Sequence, residues 1–391
     1  MDVQYRQVYL DNAATTKPRP EVVRVMQHVL EEEYGNASSL HALGKRAKTI
    51  LEDSRELIAN ALDVYPDEVF FTSGGTESNN LAIRGVCRAR GKDAGQIITS
   101  DLEHPSVTRS VRGLKREGWK ASYVEAIGGN FDLSACEDFF KNKTILATIM
   151  TVQNELGYRM PIAEVCRLRD RYAPDALVHT DAVQAFGKID LSLREWGVDL
   201  ASLSSHKIGG PKGIGALYVK RGTHMFTTAF GGGQERGLRS GTEAVFLIAG
   251  FAEAVKQTFA HRASDEQDMR VLWNYLVKRL RDEIPSIQIN SRRDGSPYIC
   301  NISVPGMNNQ KALEYLSDKG IFVSKAAACE SNHTTVAPGT WRPKHPLSLQ
   351  AAGIPLSLGR NTLRISFGYN TQCGDVDRFV DELLVFYNKG L

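Results

Sequence analysis

Short apolar runs alternate with amphipathic stretches through the middle of the chain, between about Glu68 and Gly241. The runs VFFT, QIITS, ILATIMT, ALVHTDA, LASLSS and GALYV predict β-strands. The stretches TESNNLAIRGVCRAR, VTRSVRGLKREG and IAEVCRLRDRY repeat their apolar residues at helical spacing and predict the intervening helices. This alternation predicts an α/β domain around a mainly parallel sheet.

The two ends of the chain have different patterns. Residues up to Pro20 read as an extended segment, and residues 38–62 predict a helix. After Gly241 the pattern predicts long helices up to Ile284, followed by a tail of strand-like and helical runs. We therefore expect an N-terminal segment that packs with a small domain, a large domain, and the smaller α+β domain itself, at residues 1–20, 21–261 and 262–391.

Composition excludes several classes of protein. The formal net charge of +3 over 391 residues is too small to predict binding to nucleic acid or to an anionic membrane. We expect no membrane span and no secretory leader, because the apolar stretches are too short. The cysteines form no C-x-x-C pair, so a reducing cytoplasm is expected. They are Cys87, Cys136, Cys166, Cys300, Cys329 and Cys373.

The motif SLSSHKIGGPKGIGALYV, from Ser202 to Val219, carries the first candidate for chemistry. A short strand ends in a glycine-rich loop that holds Lys207, and glycine lets the backbone approach a ligand closely. A lysine there can form a Schiff base, because burial lowers its pKa and frees the amine. The motif alone is equally compatible with a surface lysine in a turn. Its glycine spacing does not fit a dinucleotide-binding loop.

Two further motifs fit the same site. HTDAVQ places Asp181 at the end of an apolar strand, where its carboxylate could keep a pyridine nitrogen protonated. FTSGGTESNN predicts a strand, a Gly-Gly turn and a helix opening at Thr76, whose backbone N–H groups and hydroxyl would bind a phosphate. Each motif alone would also fit a helix cap. Together with Lys207 they predict a site for pyridoxal 5'-phosphate (PLP).

Eight motifs in order resemble the cysteine desulfurases of the NifS/IscS group, in the class V aminotransferase family. They are YLDNAATT, GNASSLH, TSGGTESNN, EHPSV, QNELG, HTDAVQ, SSHKIGGPKGIGALYV and RSGTE. The resemblance implies the aspartate aminotransferase-like α/β fold (PLP fold type I), with a mainly parallel seven-stranded sheet and a smaller α+β domain. It also implies conversion of L-cysteine to L-alanine, with the sulfur passed through an enzyme persulfide to an acceptor protein for iron–sulfur cluster assembly or thiolation.

The resemblance implies a role for each matching residue around the cofactor ring. Lys207 would hold the cofactor through a Schiff base, and Asp181 would pair with the pyridine nitrogen. Gln184 would hydrogen-bond the phenolic oxygen, and His104 would stack on the ring and shuttle protons. Asn154 would lie beside the cofactor oxygen and the substrate carboxylate.

The phosphate and the substrate carboxylate would be bound by other matching residues. The phosphate would lie among Gly75, Thr76, Ser204, His206 and, from the neighbouring subunit, Thr242. Arg364, in LRISF, would clamp the carboxylate with a planar two-pronged pair that a lysine could not reproduce. A residue reaching into a neighbour's site implies a homodimer.

Cys329 decides which reaction the site performs. A thiolate on a mobile loop can attack a substrate sulfur and keep it as a persulfide. Cys329 stands where the resembling group carries its persulfide cysteine, and we expect the other five cysteines to be packed small residues.

The chain departs from the group around this cysteine. SKAAA precedes it instead of a glycine- and serine-rich run, and alanines stiffen the approach. Residues 330–358, with Trp341 and several prolines, predict a longer loop than usual. Tyr369 and Asn370 replace the expected residues after the S-F-G turn. These differences concern the path and the acceptor of the sulfur rather than PLP binding.

Three alternatives stay open. Another class V enzyme, such as a selenocysteine lyase or a small-amino-acid aminotransferase, would make Cys329 incidental. A sulfur-transfer platform would act mainly by binding a scaffold or carrier protein. His333 and His345 share the predicted loop with Cys329 and could add a metal site, but loop histidines are usually solvated and we assign no metal ligand.

Overall fold

The computed structural model describes residues 6–127, 129–325, 347–359 and 361–389. The strands are β1 Val8–Tyr9, β2 Val69–Thr72, β3 Gln96–Ser100, β4 Ala121–Val124, β5 Ala126–Ile127, β6 Asn130–Phe131, β7 Thr144–Thr148, β8 Leu177–Asp181, β9 Leu200–Ser204, β10 Gly215–Val219, β11 Gln288–Ile289, β12 Ile299–Ser303, β13 Ile321–Phe322 and β14 Thr362–Ser366. The helices are α1 Pro20–Glu32, α2 Ala42–Ala61, α3 Gly75–Arg90, α4 Pro105–Arg116, α5 Leu133–Phe140, α6 Ile162–Tyr172, α7 Leu193–Trp196, α8 Val245–Glu283, α9 Asn309–Asp318, α10 Leu347–Ala351, α11 Leu356–Gly359 and α12 Cys373–Asn388.

A seven-stranded sheet has the order β2-β10-β9-β8-β7-β3-β4. Strand β10 is antiparallel to both of its neighbours, and the remaining pairs are parallel. Every residue of the central strands β7, β8 and β9 is buried, as expected when helices cover both faces of a parallel sheet. The predicted mainly parallel seven-stranded sheet is therefore confirmed.

Two large hydrophobic cores lie on either side of the middle of α8. Ile248 and Phe251, near its start, pack in the core of the seven-stranded sheet. Leu276 and Leu280, near its end, pack in a core shared with the sheet β11-β12-β14 and α12. The expected division near residue 262 falls inside this continuous helix and stays a prediction.

The N-terminal segment joins the second core rather than the first. Strand β1 pairs in parallel with β13, and the backbone of Asp11 bridges to Ser366 at the end of β14. Leu10 is fully buried among residues of this core. Residues from the two ends of the chain thereby come together at the edge of the large sheet.

Two features differ from the sequence-based expectations. Helix α1, which begins at Pro20, was not predicted, although proline favours a first helical position. Residues 330–358 were predicted to form a loop, but their described part contains α10 and α11. Leu349 and Ile354 explain this difference, because both are buried in the core of the large sheet. In the described residues, no helix is long and apolar enough to cross a membrane.

Candidate active site

A cleft of about 160 Å³ lies where the carboxyl ends of the parallel strands meet. Asp181 is the last residue of β8, and Lys207 follows β9 after a single turn. Ligands of open α/β sheets bind at this edge, because the loops that leave the strands converge there. The lining residues are Ala13, Ala14, Gly75, Thr76, Asn79, His104, Met150, Asn154, Asp181, Val183, Gln184, Ser204, His206, Lys207 and Arg364.

This lining includes most of the residues that the sequence predicted. The ten that meet in the cleft are Gly75, Thr76, His104, Asn154, Asp181, Gln184, Ser204, His206, Lys207 and Arg364. Thr242 is exposed and is not among the residues that line the cleft. Cys329, His333 and His345 lie outside the described residues.

Lys207 is held by the N-terminal segment. Its Nζ donates hydrogen bonds to the carbonyl oxygens of Ala13 at 2.6 Å and Ala14 at 2.8 Å. The loop after it turns back at Gly209, whose φ of +82° suits glycine. Burial, with Lys207 adding to it, lowers the pKa of His206 to about 3, so this imidazole is neutral and can accept or donate a hydrogen bond. The amine is thus fixed in the cleft by backbone acceptors.

Asp181 and His104 share one hydrogen-bond network. Asn79 Nδ2 donates to Asp181 Oδ2 at 2.7 Å and to Ser106 Oγ at 2.8 Å. Ser106 Oγ in turn lies 2.7 Å from His104 Nδ1, and the Val183 N–H donates to Asp181 Oδ1 at 3.0 Å. Burial lowers the pKa of His104, although the charge of Asp181 opposes this. The network orients a carboxylate and a neutral imidazole toward the same space.

Glu103 is a buried carboxyl behind this network. Its Oε1 accepts hydrogen bonds from Ser100 Oγ at 2.5 Å and from the Met150 N–H at 2.9 Å. Its Oε2 is buried and has no partner among the described residues. Burial raises the pKa of Glu103 to about 8, with the nearby charge of Asp181 adding to the effect. Glu103 is therefore protonated at neutral pH.

The N-terminus of α3 forms one end of the cleft. Gly74 precedes the helix with a φ of +147°, and Gly75 is its first residue. A Cβ atom on Gly75 would lie 2.6 Å from Val183 Cγ2, so glycine lets the helix start approach the segment after β8 this closely. The first backbone N–H groups of a helix have no partners inside the helix and attract anions. Thr76 adds a hydroxyl beside them, which makes this end suitable for a phosphate.

Arg364 contributes a buried guanidinium group to the cleft. This side chain is 1 % exposed and comes from β14, in the second sheet. It donates to Asp11 Oδ1 at 2.7 Å and to the carbonyl oxygen of Asn154 at 3.0 Å. Its Nε is buried and has no partner among the described residues. A buried guanidinium with an unpaired donor is suited to a ligand carboxylate.

The described residues on both sides of the segment 326–346, which contains Cys329, form hydrogen bonds at or next to the cleft. Ser324 exchanges two backbone hydrogen bonds with Arg364, at 2.6 and 3.1 Å. Beyond the undescribed residues 326–346, Ser348 Oγ donates to Glu155 Oε2 at 2.5 Å, next to Asn154. The chain on each side of the undescribed residues is therefore bonded to a residue that lines the cleft or to its neighbour.

The other cysteines are not in the cleft. Cys87, Cys136, Cys166 and Cys300 are buried, and burial raises the pKa of each thiol to about 12. They are packed and inert at neutral pH, as expected. Cys373 is exposed at the start of α12, so its predicted packing was wrong.

The loop that carries Thr242 is tied to its own chain by two ion pairs. Glu235 forms a two-pronged pair with Arg55 at 2.8 Å, and both side chains are buried. Arg239 pairs with Glu77, in the first turn of α3, at 2.9 Å. Thr242 is exposed beyond these contacts.

Comparison with known proteins identifies the family. The model of the class V aminotransferases matches residues 8–379. The chain belongs to this family. It is 36% identical to the cysteine desulfurase IscS of Dictyoglomus turgidum, over 97% of this chain and 94% of that protein. It is also 36% identical to the mitochondrial cysteine desulfurase of Drosophila melanogaster, over 97% of this chain and 80% of that protein.

Solved structures agree with the family assignment. A NifS-like protein superimposes with a TM-score of 0.91 at 33% identity, covering 98% of this chain and all of the other. SspA in complex with cysteine superimposes with a TM-score of 0.79 at 31% identity, covering 93% of this chain and 99% of the other. The resemblance to the NifS/IscS group and the PLP fold type I architecture are thereby confirmed.

Several residues of this class V site were missed in the sequence. Asp11, Asn79 and Glu103 lie inside the motifs YLDNAATT, TSGGTESNN and EHPSV, so the signal was present but no role was drawn from it. Lys188 follows HTDAVQ, four residues after Gln184, and its Nζ donates to Gln184 Oε1 at 3.0 Å. This spacing was the available signal for Lys188. Within the described residues, no group of three or more His, Cys, Asp or Glu side chains could hold a metal ion.

Proposed function

We propose that this class V enzyme is a PLP-dependent cysteine desulfurase that converts L-cysteine to L-alanine and passes the sulfur to Cys329. The observation that carries the proposal is the single cleft where Lys207, Asp181 and Arg364 meet. An amine, a buried carboxylate and a buried guanidinium are the groups needed for a carbonyl cofactor, its ring nitrogen and an amino-acid carboxylate. The relatives named cysteine desulfurase favour this reaction over the other class V alternatives.

The described residues fit PLP. The start of α3 can lie this close to Val183 because Gly75 has no Cβ. The first N–H groups of the helix can bind the phosphate. Asp181 is buried and is oriented by a hydrogen bond from Asn79, as a partner for a protonated ring nitrogen should be. When bound through Lys207, PLP supplies an electron sink that makes the Cα proton of an amino acid acidic.

The residues of the cleft then have separate tasks. The Lys207 amine, released by substrate, accepts the Cα proton. Asp181 keeps the ring nitrogen protonated. His104, whose pKa is lowered by burial, is neutral and can exchange a proton with the substrate without adding charge. Arg364 binds the substrate carboxylate with Nε, the donor that has no partner among the described residues, and Asn154 lies beside it.

Cys329 would take the sulfur. Its thiolate attacks the sulfur of bound L-cysteine, the substrate C–S bond breaks, and a new S–S bond forms. L-cysteine and the enzyme thiol become L-alanine and an enzyme persulfide, so atoms and electrons balance without an external oxidant. The backbone bonds between Ser324 and Arg364 support this step, because they tie the segment that leads to Cys329 to the carboxylate-binding residue.

The partners follow from the same proposal. The persulfide would be passed to a scaffold or thiolation protein, and Thr242 would reach the phosphate of a second subunit in a homodimer. The exposed position of Thr242 and the anchored loop before it are compatible with that role. A cytoplasmic location stays a prediction from cysteine usage.

Alanine release from L-cysteine tests the function. We expect the PLP-loaded wild type to release alanine and, with a reductant, equal sulfide. Cys329→Ser should bind PLP normally and lose turnover, whereas the matched variant of the exposed cysteine, Cys373→Ser, should behave as wild type. A wild type that consumes a keto acid but makes no alanine from L-cysteine would favour an aminotransferase. Negligible turnover combined with stable capture of a carrier protein would favour the sulfur-transfer platform.

A further inference from the structure

Lys188 is a buried lysine behind the cleft to which the proposed chemistry gives no task. It is 5 % exposed, and its Nζ donates to Gln184 Oε1 at 3.0 Å. Gln184 Nε2 donates in turn to the carbonyl oxygen of Ala13 at 2.9 Å, the same oxygen that accepts from Lys207 Nζ at 2.6 Å. A chain of hydrogen bonds therefore runs from Lys188 through Gln184 to the acceptor that holds Lys207.

The chain determines which way the Gln184 amide faces. A glutamine amide has two orientations that exchange its oxygen and its NH₂ group. The Ala13 carbonyl can only accept, so the NH₂ group must face it, and the charged form of Lys188 has only donors, so the amide oxygen faces that side. Both neighbours select the same orientation. The remaining N–H of Gln184, which lines the cleft, is then available as a donor to a ligand oxygen.

The charge of Lys188 is also poorly compensated. Within the described residues Lys188 forms no ion pair, and its Nζ lies 5.7 Å from the centroid of the Tyr298 ring. The charged and titratable groups that face it are Lys207, Arg364, His206, Arg19, Asp265 and Tyr298. Burial lowers the pKa of Lys188 to about 7, and the charges of Lys207 and Arg364 add to this. An anionic oxygen in front of Gln184 would relieve this excess of positive charge.

We propose that Lys188 is a positioning residue for the cofactor: it fixes the Gln184 amide as a donor to the PLP phenolic oxygen and stabilises the ionised form of that oxygen from behind. The inference rests on the proposed function. Lys188 would thus lower the proton affinity of the bound cofactor without touching it. Removing the charge and the donor should favour the protonated oxygen, so the bound cofactor should keep its proton to a higher pH.

The test is a pH titration of the absorbance of the PLP-loaded protein. Lys188→Met keeps the length of the side chain and removes both the charge and the donor, and loss of a buried charge is often tolerated. We expect its absorbance midpoint to move up by about 1 pH unit, the size of one lost charge-assisted hydrogen bond. Lys188→Gln keeps a donor for Gln184 Oε1 without the charge and should shift the midpoint by less, in the same direction.

Lys278→Met is the matched control, because Lys278 is exposed on α8 and pairs with Asp282. It should titrate as wild type. Bound cofactor with an unchanged midpoint in both Lys188 variants would overturn the inference and leave the proposed function standing. A wild type that shows no absorbance band with PLP would overturn the proposed function, and this inference with it.

Discussion

The cleft has two sides that are built differently. The sheet side consists of Gly75, His104, Asp181 and Lys207, which follow or end strands of one seven-stranded sheet. The arginine side consists of Asn154 and Arg364 together with Asp11, which holds Arg364. Its residues come from the N-terminal segment, the loop after β7 and the second sheet. The sheet side is thus positioned by neighbouring strands, with the N-terminal segment adding the acceptors for Lys207 Nζ, whereas the arginine side depends wholly on the meeting of distant chain segments.

The two sides of the cleft should respond differently to substitution. Neighbouring strands position the sheet side, so substitutions there should change the cofactor chemistry without changing substrate recognition. The arginine side depends on a buried guanidinium whose partners are an acidic side chain and a backbone oxygen. Changes there should act on the affinity for the amino acid and leave the bound cofactor as it is.

Asp181→Asn should produce the largest effect and would damage only the sheet side. The amide cannot carry the charge that keeps the ring nitrogen protonated, so we expect kcat to fall roughly 10²- to 10³-fold, the range for losing one preorganised electrostatic contact. The KM for L-cysteine should change little, because Arg364 is intact. Steady-state alanine formation measures both constants, and Asp175→Asn, at an exposed position, is the control. A fall in affinity with an unchanged kcat would contradict the assignment.

Arg364→Lys would damage only the arginine side. Lysine keeps the charge but not the fork of donors, so the KM for L-cysteine should rise about 10- to 100-fold, the loss of one charge-assisted hydrogen bond. The absorbance of bound PLP should match wild type. Arg167→Lys, at a surface position on α6, provides the control. An altered cofactor spectrum with normal KM would mean that Arg364 serves the cofactor rather than the substrate.

Glu103→Gln concerns the stability of the sheet side rather than its kinetics. The folded protein keeps a proton on Glu103 up to a pKa of about 8, whereas the unfolded chain releases it at about 4.5. The folded state therefore binds more protons in this window, and its stability falls as the pH rises from about 4.5 to about 8. Glutamine mimics the protonated form of Glu103. The free energy of unfolding of the variant should therefore not show this decrease with pH, which is on the order of a few kcal/mol.

Urea unfolding of the protein without PLP, inside and above this pH window, measures the difference. Gln at position 103 keeps an oxygen for the Ser100 hydroxyl and the Met150 N–H, so the local hydrogen bonds are preserved. Wild type and variant with parallel stability profiles across the window would show that Glu103 is ionised in the folded state.

Most of the sheet side could be predicted from the sequence because its signals are local. Asp181, Lys207 and Gly75 each stand within a few residues of an apolar strand, and strands in a parallel sheet end at one edge. Arg364 was assigned through the resemblance, but its pairing with Asp11 joins residues 353 positions apart. No local pattern reports such a contact. Lys188 was missed because a lysine after a strand is usually a surface residue.

The prediction of the helices and strands also depended on local apolar patterns. The strands of the large sheet were predicted because buried parallel strands read as apolar runs. Helix α1 was missed because only Val22 and Val29 of its residues are buried, which gives a thin apolar stripe. The helices α10 and α11 were missed because the polar, proline-rich composition around them hid Leu349 and Ile354.

The most direct test of the account is a single turnover of the PLP-loaded wild type with one equivalent of L-cysteine, followed by alkylation and peptide mass spectrometry. The account predicts one alanine for each reacting subunit and one added sulfur atom on the peptide that contains Cys329. Alanine formed without sulfur on that peptide, or sulfur found on the Cys373 peptide instead, would contradict it.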